Sequence, residues 1–343
     1  MLSLVTCMWQ GLYPPQVVFA RRKFRRVLLN PPNFNPGSWC GAGKLCIDSK
    51  SEEYWLTSRP REGAEKRGYA VEVYRSLNGE DFSLASRVTK EELSEVTGRT
   101  VQSIENQQLL RDPSTDRFCL YLSLDVAEKN IAGKESRLYE SRWETYLMRA
   151  DDPCGPWKGE GFALRGDRDY DSAEARDPTI DIVDGVYIAL YKARKAGTRI
   201  VHMALASSSD GKKWIKRGVL KIDGKPQPNY FLLSGSIHAG CRGPVIVGAK
   251  TVDVVRGAAL AKDFGAYVID WRGMNLETIF EARWVPGSQY EHSEYPIHTY
   301  ANVVHDQVKD RWLTWIEAVD PVHSKELGLN LEVDRVLLYV TEP

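Results

Sequence analysis

The chain has 343 residues, 43% of them hydrophobic, enough for one large all-β domain or two ordinary ones with a substantial core. Its 46 Lys and Arg balance its 46 Asp and Glu, so no overall field draws polyanions, and nucleic acid or a membrane surface loses compositional support to a small neutral ligand. No apolar run is long enough to span a membrane as a helix.

The N-terminal stretch MLSLVTCMWQGLYPPQVVFARRKFRR places its basic cluster after its apolar residues and lacks a sustained apolar core with a small-residue cleavage site. A signal peptide is therefore not expected. Residues 1–35 read as an N-terminal arm or closing strand, and the basic run at 21–26 as its solvated face. Cys7, Cys40, Cys46, Cys119, Cys154 and Cys241 are scattered without CxxC or zinc spacing. They predict reduced core thiols, a cytoplasmic location, no metal and no cofactor.

Helical periodicity is confined to TKEELSEV near residue 90 and a short turn near SKELG at 324. The remainder is strands and turns, and one phrase recurs: strand, tight turn, aromatic-rich strand ending in a polar residue, third strand, small polar turn closed by an aromatic. The first copy gives EEYWLTSRPRE, YAVEVYRS and the turn Ser76-Leu77-Asn78-Gly79-Glu80-Asp81-Phe82. The second is SIENQQLLRDPSTDRFCLYLS, SRWETYLMRA and DDPCGPW, closed by Trp157. The third is TIDIVDGVYIALYKA, a hairpin through Asp184-Gly185, then TRIVHMALAS and the turn Ser208-Ser209-Asp210-Gly211-Lys212-Lys213-Trp214. The fourth runs SGSIHAGCRGPVIVGAKT and FGAYVIDWRGMNLETIF, and the fifth IHTYANVVHDQVKDRWLTWIEAV and DRVLLYVT.

Five such copies predict an all-β fold: a five-bladed β-propeller of four-stranded antiparallel blades around a central pocket, in a single domain over 1–343. The blades run roughly 36–85, 100–165, 172–222, 230–282 and 295–342. The same strand density would also permit two β-sandwich domains.

In a propeller the innermost strands line the axis, so residues at their entries converge. Aligned copies set Glu105 of blade two opposite Asp177 of blade three, with Trp39, Ser236, His238, His298 and Tyr300 around them. Glu174 and Arg176 stand at the rim. Two carboxylates among aromatic platforms suit glycosidic bond cleavage, in which one is protonated to release the leaving oxygen while the other stays ionised. Burial and a carboxylate neighbour raise one pKa, and Arg176 holds the other acid ionised. Direct water attack predicts carboxyls roughly 6.5–9.5 Å apart.

Each residue also has a plainer reading. Asp177 can be a strand-entry turn aspartate before Pro178, Glu105 a solvated edge residue, and Glu174 with Arg176 a surface ion pair. His238 and His298 can be structural, and Trp39 and Tyr300 a plug. The second Arg-Asp-Pro, Arg111-Asp112-Pro113, lies after a strand and reads as a turn.

The string ARDPTIDIVDGVYIALYKARKAGTRIVHMALASSSDGKKW resembles the third blade of the five-bladed propeller glycosidases, which include arabinanases, xylosidases, fructosidases and the β-mannoside phosphorylases and hydrolases. It is most similar to the mannoside-phosphorylase group over about forty residues. The resemblance implies that Asp177 is the proton donor and that Arg59, in LTSRPRE, contacts substrate or phosphate. Arg176 stands where that group has an acid, Thr179 where it has a basic residue, and the group's fourth-blade pattern is missing from SGSIHAGCRGPVIVG.

The leading expectation is an exo-acting glycoside hydrolase on a small oligosaccharide, with Asp177 as donor and Glu105 or Glu174 as second carboxylate. A glycoside phosphorylase would need cations for inorganic phosphate, which Arg59, Arg61, Arg149 and Lys192 could supply. A binding propeller without chemistry is the third reading.

Overall fold

The computed structural model describes residues 14–63, 65–127 and 142–342. Residues 1–13 of the predicted arm, Cys7 among them, and residues 128–141 of the second predicted blade lie outside the described residues. Among the described residues no helix is long and apolar enough to cross a membrane.

Among the described residues the chain is mostly antiparallel sheet, and sets of four paired strands can be followed along it, called units here, beside three short two-stranded pairings. Unit I comprises Ala42–Asp48, Glu53–Ser58, Ala70–Ser76 and Ser83–Thr89, paired in that order. Unit II comprises Thr100–Arg111, Phe118–Ala127, Arg142–Ala150 and Lys158–Leu164; unit III Glu174–Val183, Val186–Arg194, Val201–Ser208 and Ile215–Val219. Unit IV is built from Leu232–His238, Val245–Thr251, Asp263–Asp270 and Asn275–Arg283. In unit V the strands Ile297–Asp306, Arg311–Val319 and Asp334–Thr341 are completed by Lys23–Leu29 from near the other end of the chain. The first strands of the five units touch one another in a closed cycle, unit V meeting unit I. Units II and III are further joined by a short parallel pairing, Trp143 to Glu174 and Glu144 to Ala175.

The repeated turn folds by the same hydrogen bonds in both of its clearest copies. At 208–211 the Ser208 hydroxyl accepts the Gly211 N–H at 2.9 Å, and Asp210 Oδ1 accepts the N–H groups of Lys212 and Lys213 at 2.8 Å each. At 76–79 the Ser76 hydroxyl accepts the Gly79 N–H at 3.0 Å, while Asn78 Oδ1 accepts from Glu80 and Asp81. Glycine is required twice over. Gly211 sits at φ +70, and a Cβ there would lie 2.5 Å from the Tyr121 hydroxyl; Gly79, at φ +73, would strike the Tyr54 ring.

Among the described residues, two α-helices stand outside this plan. Lys90–Thr97 bridges units I and II, begins with a capping box in which Thr89 and Glu92 cap each other's backbone, and ends at left-handed Gly98. Pro15–Arg21, which the sequence analysis left within the arm, carries proline at its first position and buries Val18 against unit V and unit IV residues. The segment at 324–328 forms bends, with turns on either side of it.

Apolar residues alternate along the strands and pack between neighbouring units. Val71, Leu109, Leu122 and Met148 join units I and II, whereas Leu190, Leu205, Ile246 and Ile269 join units III and IV. Such packing leaves polar side chains at the strand entries as the chief chemistry on the axis.

Candidate active site

Four of the five first strands slip register against their second strands: between Ala42 and Leu45, between Glu105 and Gln107, between Arg176 and Thr179, and between Ile297 and Ala301. Beside each slip the backbone turns left-handed, at Gly41 (φ +60), Asn106 (+20), Asp177 (+49) and Thr299 (+72). A bulge bends the strand and re-aims its side chains. A non-glycine residue at positive φ costs free energy that only a surrounding structure can maintain, and aspartate and asparagine tolerate it best. At Asp177 the Pro178 ring removes the next ladder donor, and the Asp177 N–H donates instead to the Ser123 hydroxyl of unit II at 2.8 Å.

Arg176 is the hub. Its Nη1 donates to Glu105 Oε2 and lies 3.1 Å from Asp177 Oδ2; its Nε donates to Glu174 Oε2 at 3.0 Å; and its guanidinium covers the Trp143 ring at 4.4 Å. Glu105 Oε1 accepts from Arg67 at 3.2 Å. Glu174 Oε1 accepts from Arg194 at 2.7 Å, and Lys192 stands 3.9 Å from Glu174 and 4.0 Å from Asp177. Two oxygens within reach of one guanidinium nitrogen are at most about 6 Å apart, twice an N–H···O length. Arg176 therefore bridges one oxygen of Glu105 and one of Asp177.

This arrangement separates the carboxyls electrostatically. Burial pushes Asp177 above the usual carboxylate range, and Glu105 and Glu174 add to that push while Arg176 and Lys192 oppose it. Burial would also raise Glu105, but Arg176, Arg59, Arg67 and Lys192 together hold it well below. Glu174, likewise buried, is brought down to about 2 by Arg176, Lys192 and Arg194. Asp177 Oδ1 is buried with no hydrogen-bond partner among the described residues, whereas both oxygens of Glu105 and of Glu174 are engaged. Glu174, a catalytic candidate in the sequence, is thus a buried counter-ion to three cations, and its pairing with Arg176 is not a surface one.

Arg59 and Tyr300 face the same cluster, since each interacts electrostatically with Glu105 and with the other. Trp39 is no open platform. Its indole N–H donates to the Glu332 carbonyl at 2.7 Å, Arg61 covers its ring at 3.9 Å, and the His298 ring stands edge-on at 4.5 Å. His298 Nδ1 lies 3.1 Å from Asp334 Oδ2, and with Glu317 these residues bring potential metal-ligand atoms within 4.8 Å of one another. Arg59 lies within electrostatic reach of both Glu317 and Asp334 and opposes a cation there.

Ser236 and His238 belong elsewhere. Gly235 lies level with Thr179, and Ile237 with Asp181, so Ser236 and His238 sit about three to five positions deeper along the axis than Asp177. The Ser236 hydroxyl donates to Asn302 at 2.6 Å and accepts the Val303 N–H at 3.0 Å; the His238 ring meets the Val303 carbonyl at 2.9 Å and packs edge-on against Trp312. Both tie unit IV to unit V. At this depth Lys44 of unit I reaches across to unit III, donating to the Ile180 carbonyl at 2.7 Å and pairing with Asp181.

Arg67, Trp143 and Asp125 join the cluster from outside the residues expected from the sequence. Asp125 is buried beside Arg67, Glu105 and Arg176, and burial, reinforced by Glu105, pushes it up to about 6. The available signal was an apolar second strand ending in charge: LSLDVA, WLTSRP, LYKAR and WIEAV place Asp125, Arg59, Lys192 and Glu317 near the ends of the second strands of units II, I, III and V. Attention to first-strand entries alone misses that ring.

No family model matches the chain, and no curated protein matches it in sequence. Solved structures do. The sucrose-6-phosphate hydrolase of Lactobacillus gasseri superposes with a TM-score of 0.62 at 11% identity, over 91% of this chain and 60% of that one. A structure titled glycoside hydrolase gives 0.60 at 12% identity over 96% and 93%, and the GH43_1 enzyme of Xanthomonas citri complexed with xylotriose gives 0.56 at 10% over 90% and 89%. At this level of identity the likeness concerns architecture. The chain has the propeller-like all-β fold of the GH43 and GH32 glycoside hydrolases.

Proposed function

We propose that the chain is a glycoside hydrolase, exo-acting on a small oligosaccharide or glycoside, and that its five units are the blades of a single five-bladed propeller domain. The observation that carries the reading is the Asp177–Arg176–Glu105 arrangement at the bulged strand entries. One carboxyl is buried and raised, its Oδ1 without a hydrogen-bond partner among the described residues while its Oδ2 faces Arg176; the other is fixed as an anion by the same guanidinium. Pairs of carboxyls driven apart in this way divide the work of glycosidic cleavage. Asp177 delivers its proton to the departing glycosidic oxygen while Glu105 offers negative charge to the oxocarbenium-like centre; a water then adds to that carbon and returns a proton to the Asp177 carboxylate.

Tyr300 and Arg59 supply donors for sugar hydroxyls. The cross-links at Lys44–Asp181 and Ser236–Asn302 fill the axis below the mouth, which suits a site that admits chain ends rather than chain interiors. The test is a panel of aryl glycosides and oligosaccharides incubated with wild type and with Asp177→Asn, with and without inorganic phosphate, and the products identified. Release of free monosaccharide that is independent of phosphate and lost in the variant is expected. Turnover unchanged by Asp177→Asn, or none on any glycoside, removes the assignment.

A further inference from the structure

Glu317 differs from the other acids around the mouth. It is 1% exposed, and neither of its carboxyl oxygens has a hydrogen-bond partner among the described residues. Buried side-chain oxygens nearly always have one. Glu105 and Glu174 engage both of theirs, and Asp177 and Asp125 each leave a single buried oxygen unpartnered. The neighbours of Glu317 do not satisfy it. His298 and Asp334 bring ligand atoms within 4.8 Å, but they face each other at 3.1 Å, and Asp334 turns its other oxygen to the Cys40 N–H. Arg59 and the backbones of Ala42 and Tyr300 favour its charge, yet none closes a hydrogen bond on either oxygen. The pairing of unit V sets the residue at the mouth. Glu317 lies between Ile316, paired with Ala301, and Ala318, paired with Ile297, so the bulge formed by residues 298–300 stands opposite it. Tyr300, on that bulge, interacts electrostatically with Asp177 and Glu105.

We infer that Glu317 is a substrate-binding residue that takes two neighbouring ring hydroxyls of the terminal sugar on its two oxygens. The substrate class is then a glycoside whose terminal sugar carries that vicinal pair free, neither acylated nor replaced by an acetamido group. A hydroxyl can donate to either carboxyl oxygen, and a protonated carboxyl can donate back, so the match holds in both protonation states. Two uncommitted oxygens on one carbon suit adjacent hydroxyls better than distant ones. A site built to hydrogen-bond a hydroxyl rejects the analogue lacking it, because its own buried group is left unpaired. This inference rests on the pocket being a sugar site, as proposed above, but its test reads binding alone, so failure of the pocket and failure of Glu317 are separate outcomes.

Isothermal titration of wild type, Glu317→Leu and Glu317→Ala with galactose, glucose, mannose, xylose and arabinose, and then with the monodeoxy analogues of the tightest binder, provides that test. Removing the hydroxyl at either of two neighbouring ring positions should weaken binding to wild type by about tenfold or more. Glu317→Leu should bind the parent sugar more weakly by a similar factor and should bind those two analogues as it binds the parent. Deoxy penalties that survive in Glu317→Leu leave the sugar pocket standing and overturn the role of Glu317. No binding of any sugar to wild type removes the pocket and this role with it. Heat from calcium or zinc chloride that Glu317→Leu abolishes, with the deoxy penalties unchanged, would make the carboxyl a metal ligand and likewise overturn the assignment. If Glu317→Leu fails to fold, Glu317→Ala is read in the same way. If neither folds, wild type decides: penalties at two neighbouring positions support the assignment, and their absence refutes it.

Discussion

Units III and IV share one four-stranded pattern and differ at the point that matters for chemistry. In unit III the first strand breaks register at Arg176–Thr179, turns left-handed at Asp177, and sends three charged side chains into the mouth. In unit IV the first strand pairs with the second without a slip from Leu232 to His238. There Gly235 faces Gly248, so closely that a Cβ on Gly235 would lie 1.8 Å from the Val247 carbonyl oxygen. The regular strand uses its polar groups to bind the next unit; the broken strand gathers its own into the Arg176 cluster. A local cost in backbone conformation accompanies that gathering.

The comparison can be broken most decisively at Asp177. Asn retains the shape and the tolerance for positive φ but has no proton to donate, so kcat on an unactivated disaccharide should fall by about 10²–10⁴-fold. An activated aryl glycoside should lose less, and the melting temperature should barely move. Equal small losses on both substrates would make the bulge a structural feature only.

Arg176→Met attacks the same strand through its charges. Removing the shared partner of buried Glu105 and Glu174 should cost roughly 3–5 kcal/mol of stability in denaturant titration. The pH dependence follows from the depressed acids. Glu174, at about 2 in the folded chain and about 4.3 when unfolded, contributes stability fully above pH ~4.3 and loses it as pH falls towards 2. Wild type should therefore weaken steeply over that window and Arg176→Met much less; parallel acid-unfolding curves would show that Arg176 does not set these pKa values.

Ser236→Ala in unit IV should have the smallest effect. It leaves the Val303 N–H without its acceptor, at about 1–3 kcal/mol, while kcat/KM stays within about twofold of wild type. A loss of activity with stability intact would return Ser236 to the pocket, where the sequence had placed it.

The repeat was legible because its turns are chemically specific: Ser-x-Asp/Asn-Gly with a closing aromatic encodes the hydrogen bonds found at 76–82 and 208–214. Asp177 was legible for a related reason, an Asp-Pro at the head of an apolar strand. What the letters did not reveal was depth. Ser236 and His238 follow a strand entry just as Asp177 does, but unit IV has no bulge, and register decides whether a side chain reaches the mouth or the axis below it. Nor did spacing disclose that Glu174 would be consumed by Arg176 and Arg194, or that Trp39 would be covered by Arg61, because those partners come from other strands and other units.

Lys44 has a kinetic consequence. Reaching from unit I to Asp181 and the Ile180 carbonyl of unit III, it bars the axis beneath the reacting groups. On the proposed reading, a bond cut above that cross-link leaves its product at the mouth. The released sugar must then leave before another chain end can enter, so it competes with substrate for one site. Turnover would then slow as product accumulates, raising the apparent KM and leaving the limiting rate untouched.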